Sequence, residues 1–215
     1  RQTYVTGNAV KDAASGLRKR IEAMLAVKHG LEPSKMIFGE EFIKVDDRKI
    51  AWQDVYDLLE KSPEGTSVEV RYSAPQTYSL EVGGKIHVAY GFAAQAVQIA
   101  IDPESGEVKV LRVIAASDAG RVINPLGFQS QVEGGAVMGV GHGIMEEFKL
   151  ENGVILSDRI AKYEIPRMKD SPKVESLIVE DPTSEGPYGA KGIGELVCVP
   201  TPPAIANAVY NAIGL

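Results

Sequence analysis

A single cysteine, Cys198, is the only thiol in 215 residues. That excludes an internal disulfide framework and a cysteine-clustered iron–sulfur site, and makes the cytosol the default compartment. The three histidines, His29, His87 and His142, lie far apart with no zinc-type spacing. No apolar run approaches the roughly 20 residues that span a bilayer, and no signal peptide opens the chain. An excess of basic charge is also missing: 23 basic residues face 29 acidic ones, a net charge of −6 that argues against general nucleic-acid binding. Internal repeats and low-complexity tracts are absent. The sequence starts at Arg1 rather than at a methionine, and we expect a fragment of a longer polypeptide.

What is present is the composition of a globular protein, 44% hydrophobic and 24% charged, long enough to bury a core. Leu17, Ile21, Met24 and Leu25 recur at helical spacing and predict a helix over 9–28, ended by Gly30. Ahead of it, Thr6, Gly7 and Asn8 offer a hydroxyl, a backbone donor and an amide. They read either as an ordinary N-cap or as a phosphate-binding helix start. Residues 36–38 and 42–45 predict strands with Asp46-Asp47 as a turn, and 51–60 a short amphipathic helix carrying Trp52. Alternation predicts strands at 68–72, 86–92, 96–101 and 108–116, the last two joined by the hairpin turn Asp102-Pro103-Glu104-Ser105-Gly106. Asp118 and Arg121 are placed to pair across the turn that follows. A small-residue helix spans 131–147, a hairpin turns at Glu151-Asn152-Gly153-Val154, and 174–180 alternates as a strand.

The densest signal is Gly186-Pro187-Tyr188-Gly189-Ala190-Lys191-Gly192-Ile193-Gly194-Glu195. Four glycines and a proline in ten residues exclude a helix or strand interior, so the segment is a loop whose backbone approaches something closely. Thr201-Pro202-Pro203 then opens a helix, with Thr201 as a hydroxyl cap and Gly214 as the stop. Glu195 on this glycine shoulder is either a dipole partner for the helix or a positioned general base. The second glycine-rich element, Gln131-Val132-Glu133-Gly134-Gly135 through Gly139-Val140-Gly141-His142-Gly143, lacks the leading strand of a dinucleotide fingerprint. Its small residues let a backbone or a cofactor come close. His142 and Glu146 fall four apart, but two ligands do not make a metal site.

Gly189 to Glu195 with Ala204-Ile205-Ala206-Asn207-Ala208 resembles the C-terminal signature of the molybdopterin-binding subunit of the xanthine dehydrogenase/aldehyde oxidase family. Gln131-Val132-Glu133-Gly134-Gly135 and the Thr6 segment resemble the family's cofactor-contacting stretches, and the turn from Asp118 to Pro125 resembles its Asp-x-Gly-x-x-x-Asn-Pro turn. Departures are Met138 where many relatives carry a second glutamine, Leu196 where many carry proline, and Lys162 for an asparagine.

The resemblance implies Glu195 as the catalytic base. It implies cofactor contacts from Thr6, Gly7, Asn8, Gln131, Gly134, Gly135, Lys191, Gly192 and Gly194, with no metal ligand from the protein. The implied cofactor is molybdenum–molybdopterin in its cytosine dinucleotide form, with iron–sulfur centres and FAD on partner domains or subunits. The expected partners are the remainder of the molybdenum subunit, those electron-transfer units and a small-molecule substrate, with homo-oligomerisation open. The implied reaction is hydroxylation of an electron-poor C–H in a purine or related N-heterocycle, with water as the oxygen source. Aldehyde or aromatic acyl-thioester oxidation, and a non-catalytic assembly domain, are the alternatives. For architecture the expectation is α+β: mixed and antiparallel sheets packed with a few helices, as two lobes around a cofactor groove, residues 1–215 forming one cofactor-binding domain.

Overall fold

The computed structural model describes residues 2–214, which divide after Ala74 into two compact units. The architecture is α+β, with antiparallel and mixed sheets and a few helices.

In the first unit a long helix, α1 (Gln2–His29), packs with a three-stranded antiparallel sheet and a short helix. The strands are β1 (Met36–Phe38), β2 (Phe42–Val45) and β3 (Arg48–Ala51), followed by α2 (Trp52–Glu60). The Arg48–Ala51 strand has no alternation of its own, and sequence reading misses it. It exists because the Asp46-Asp47 turn returns the chain along β2, pairing Ile43 with Ile50. Ile21, Leu25, Met36, Ile43, Val45, Ile50, Val55 and Leu59 form the core. Trp52 anchors it and donates its indole N–H to the Gly39 carbonyl at 3.1 Å.

In the second unit, β4 (Ala93–Ile101) and β5 (Val108–Asp118) form the expected hairpin. Asp102 stabilises its turn by accepting the Glu104 amide and the Ser105 hydroxyl. A strand parallel to β5 requires a crossover, and α3 (Pro125–Ile144) supplies it. Asn124 caps α3 by accepting the Gly127 amide at 3.0 Å, and Pro125 at the first turn loses nothing by lacking a donor. A small hairpin, β6 (Leu150–Glu151) and β7 (Val154–Ile155), and one turn of helix, α4 (Ile160–Tyr163), precede β8 (Lys173–Val179). The sheet order is β4-β5-β8, and α5 (Thr201–Ile213) closes the unit, ending at left-handed Gly214. Val113, Ala115, Phe128, Val132, Ala136, Val140, Val197 and Ile205 form its core.

Two expected strands are absent. Residues 68–72 form no ladder, and 86–92 meets β5 only where the Asp118 amide donates to the Phe92 carbonyl at 2.8 Å, because alternation creates a strand only where another edge is available to bond it. No helix among the described residues is long and apolar enough to cross a membrane.

Candidate functional site

The construction of the site begins with the glycines of α3. A Cβ built at Gly135 would collide with Val197 and come within 3.4 Å of the Cys198 amide nitrogen. One at Gly139 would collide with Thr201 and approach the Cys198 carbonyl at 2.9 Å, and one at Gly143 would reach Ile205 at 3.1 Å. Residues 135, 139 and 143 therefore form an i, i+4, i+8 groove on the helix. The turn after Glu195 and the start of α5 lie in that groove. These small residues serve close approach by backbone from this same chain. Each glycine costs roughly 1 kcal/mol of helix propensity, offset here by contact with fully buried Val197 and Thr201.

The face of α3 that adjoins this groove is open. Gln131, Gly134, Met138 and His142, at i, i+3, i+7 and i+11, are all exposed. A Cβ at Gly134 would meet nothing within 4 Å, and the same holds for Gly194. Seating Val197 on Gly135 thus brings the Glu195 turn against the helix that carries Gln131 and Gly134. Glu195 itself is exposed, and among the described residues its carboxylate has no hydrogen-bond or ion-pair partner. Its main-chain carbonyl accepts from the Cys198 amide at 3.3 Å and from the Cys198 thiol at 3.1 Å.

Two attachments hold the loop that delivers Glu195. Upstream, Lys191 is buried with its ammonium 2.7 Å from Asp118 and 3.0 Å from Asp181. Burial pushes that ammonium's pKa down, and the hydrogen bonds and charges of Asp118 and Asp181 more than offset it, so the net shift is upward. The Lys191 amide donates to the Ala119 carbonyl at 2.7 Å, and the Arg121 amide to the Gly189 carbonyl at 3.0 Å. The expected partner of Asp118, Arg121, is not the one it takes: Arg121 is exposed, while Asp118 is buried and accepts from Lys191 and the Gly120 amide. Downstream, the Gln95 side chain on β4 donates to the Val197 carbonyl and accepts from the Thr201 hydroxyl, each at 2.6 Å.

Thr201 is therefore not the helix cap expected. Pro202 and Pro203 have no N–H to offer, and the Ala204 amide bonds the Pro200 carbonyl, so the hydroxyl turns to Gln95. Gln95 and Asp181 went unrecognised in the sequence. The one available signal was an amide interrupting an apolar alternation between 86–92 and 96–101.

In the first unit, α1 begins upstream of its expected start, so Thr6, Gly7 and Asn8 lie inside the helix rather than capping it. Their amides sit within the helical ladder, and the hydroxyl of Thr6 bonds Gln2 Oε1 at 2.6 Å. Asn8 is buried and donates to the Tyr72 hydroxyl at 3.1 Å. The hydroxyl, glycine and amide ahead of Ala9 suggest a helix start there, whereas α1 runs from Gln2 with Asn8 bonded to Tyr72. His142 and Glu146 are 3.6 Å apart, with no third metal-ligating side chain grouped with them among the described residues.

An open helix face with an amide side chain and a bare backbone, beside a turn presenting an unpaired carboxylate, suits a flat polar ligand and proton-transfer chemistry. The donor set fits a pterin-type cofactor: Gln131 supplies amide donors and an acceptor, and Gly134 and Gly194 leave room for close approach.

Residues 1–172 match the molybdopterin cofactor-binding domain, and the chain belongs to that family. It is 31% identical over 214 residues to a probable xanthine dehydrogenase subunit of Bacillus subtilis (strain 168), covering all of this chain and 28% of that protein. It is 33% identical over 200 residues to the aldehyde oxidoreductase molybdenum-binding subunit PaoC of Escherichia coli (strain K12), covering 91% of this chain and 26% of that one. In fold it resembles the Cu,Mo-CO dehydrogenase, at a TM-score of 0.83 and 23% identity, with all of this chain matching 27% of that one. The chain thus spans about a quarter of the length of the relatives it matches.

Proposed function

We propose that this chain is the C-terminal part of the molybdenum-binding subunit of a xanthine dehydrogenase-type hydroxylase, with Glu195 as its general base. The observation that carries the reading is the seating of the Glu195 turn on the α3 helix. It brings an unpaired carboxylate beside the open Gln131 and Gly134 face. When bound, the molybdenum cofactor supplies the two-electron oxidation and raises the acidity of water at the metal. Glu195, with no cation beside it among the described residues, would accept the proton given up when the substrate is hydroxylated. Gln131 reads the pterin edge, and Gly134, Gly192 and Gly194 let the cofactor lie against backbone. Gly135 and Lys191 contribute indirectly, the first by seating Val197 and the second through Asp118 and Asp181. Thr6, Gly7 and Asn8 stay as the first unit's proposed contacts; Thr6→Val with metal analysis tests the exposed one.

In this reading residues 1–215 act as one cofactor-binding part, the cofactor is the cytosine dinucleotide form, and iron–sulfur and flavin units receive the electrons. The substrate is a purine or related N-heterocycle. The 33% identity to an aldehyde oxidoreductase subunit favours aldehydes as a second reading. Steady-state assay of the assembled enzyme with hypoxanthine and with an aromatic aldehyde separates the two.

Glu195→Gln in the assembled enzyme tests the base. A positioned general base contributes about 10²–10⁴-fold, so kcat falls by at least that much with molybdenum content unchanged. A smaller loss at full metal occupancy overturns the assignment.

A further inference from the structure

We infer that Gln95 is a positioning residue: it fixes the main chain of the Glu195 turn and so aims the catalytic carboxylate. Its catalytic arm rests on Glu195 being the base proposed above. Because the Glu195 side chain has no partner of its own among the described residues, the region its carboxylate can reach is set by where the main chain places its Cα–Cβ bond. The backbone from 194 to 200 is all turn, with no helix or sheet ladder to hold it. Gln95 replaces that missing ladder. It sits on β4 opposite Ala115 of β5, within the hairpin ladder. Its Nε2 donates to the Val197 carbonyl, two residues beyond Glu195, and its Oε1 accepts from the Thr201 hydroxyl, which is fully buried.

Both ends of the amide are thereby committed, and neither the flip nor the rotamer of Gln95 is free. The amide orientation is dictated by its partners, since a carbonyl can only accept and the hydroxyl donates to the remaining oxygen. Val197 is pressed from the other side against Gly135, so the turn is held between sheet and helix. Loss of the Gln95 donor leaves the Val197 carbonyl without this bond and lets the turn swing. A shift of about 1 Å in a reacting group costs on the order of 10²-fold in rate.

The test uses the full-length subunit in its assembled, cofactor-loaded enzyme, with Gln95→Leu, Thr201→Val and Thr201→Ser. The structural readout is the alkylation rate of Cys198, followed by peptide mass spectrometry, because its thiol bonds the Glu195 carbonyl within the same turn. Gln95→Leu removes both side-chain bonds and is expected to speed that alkylation by at least about tenfold, the scale of a single hydrogen bond. It is also expected to lower kcat by about 10–100-fold at unchanged KM and metal content. Thr201→Val moves both readouts the same way, and Thr201→Ser, which keeps the hydroxyl, restores them. In a Glu195→Gln background Gln95→Leu costs no further activity, which a merely destabilising substitution would not achieve. Unchanged Cys198 alkylation in both Gln95→Leu and Thr201→Val overturns the inference. So does faster alkylation with wild-type kcat, provided that Glu195→Gln is itself inactive. If Glu195→Gln stays active, the base reading falls, while the alkylation rate still decides whether Gln95 orders the turn.

Discussion

Adjacent glycines on α3 should respond to alanine in opposite directions. At Gly134 an added Cβ meets nothing within 4 Å, so Gly134→Ala gains the helix propensity of alanine, about 1 kcal/mol, with no packing loss in the chain itself. At Gly135 the same methyl is driven into Val197, which is fully buried and packed in the second unit's core. Rotating Val197 moves its methyl groups but leaves its Cβ at 3.0 Å, still inside ordinary contact. The turn must therefore shift. Overpacking costs about 1–3 kcal/mol, and subtracting the propensity gain leaves a loss of about 1–2 kcal/mol for Gly135→Ala at the upper end of that range. The midpoint of urea unfolding measures both, and the two variants should separate by about 2–3 kcal/mol. Metal content supplies the second half of the experiment. If the open space over Gly134 is where the cofactor lies, Gly134→Ala yields a more stable chain that retains less molybdenum. Gly135→Ala retains the cofactor and loses turnover through the displaced Glu195 turn. Equal midpoints for the two variants would refute the packing argument, and full molybdenum content in Gly134→Ala would refute the cofactor placement.

Other outcomes follow from the ion pairs. Lys191→Met leaves Asp118 buried with only the Gly120 amide, and should cost about 3–5 kcal/mol, read as a lowered unfolding midpoint; Asp118→Asn in the same chain should recover part of it. The Lys191 shift is upward, so its contribution is present at neutral pH and is lost only as pH rises beyond 10.5. Glu175 bridges Arg112, at 3.0 and 2.6 Å, and Lys173, at 2.9 Å, tying β8 to β5. The hydrogen bond from Arg112 leads in lowering the carboxyl from 4.5 to about 2. A depressed carboxyl stabilises the fold above 4.5 and loses that contribution as pH falls toward about 2. Glu175→Gln should accordingly flatten the acid limb of the melting-temperature profile across that window, while leaving the alkaline limb unchanged.

Local chemistry made several elements legible. Asp102 to Gly106 specifies a hairpin turn by its own hydrogen bonds, and Gly30 and Gly214 end helices because they adopt a left-handed backbone at little cost. The glycine-rich loop before Glu195 and the small-residue helix around Gln131 were both visible, since their composition excludes ordinary packing. Pattern reading failed where partners decide. Residues 68–72 alternate without finding an edge, 86–92 meets one only at Phe92, and 48–51 pairs without alternating. α1 starts at Gln2 rather than Ala9, and Asn8 within it bonds Tyr72, 64 residues away.

The sequence by itself determined that a carboxylate would sit on a glycine shoulder before a helix, because glycine and proline restrict what a backbone can do over a few residues. Tertiary structure alone decided what that shoulder rests on. Gly135 receives Val197, Lys191 reaches Asp118 across 73 residues, and Gln95 takes the Val197 carbonyl from 102 residues away. Contacts at that separation depend on how the sheet and helices stack, and short-range residue preference carries no information about stacking.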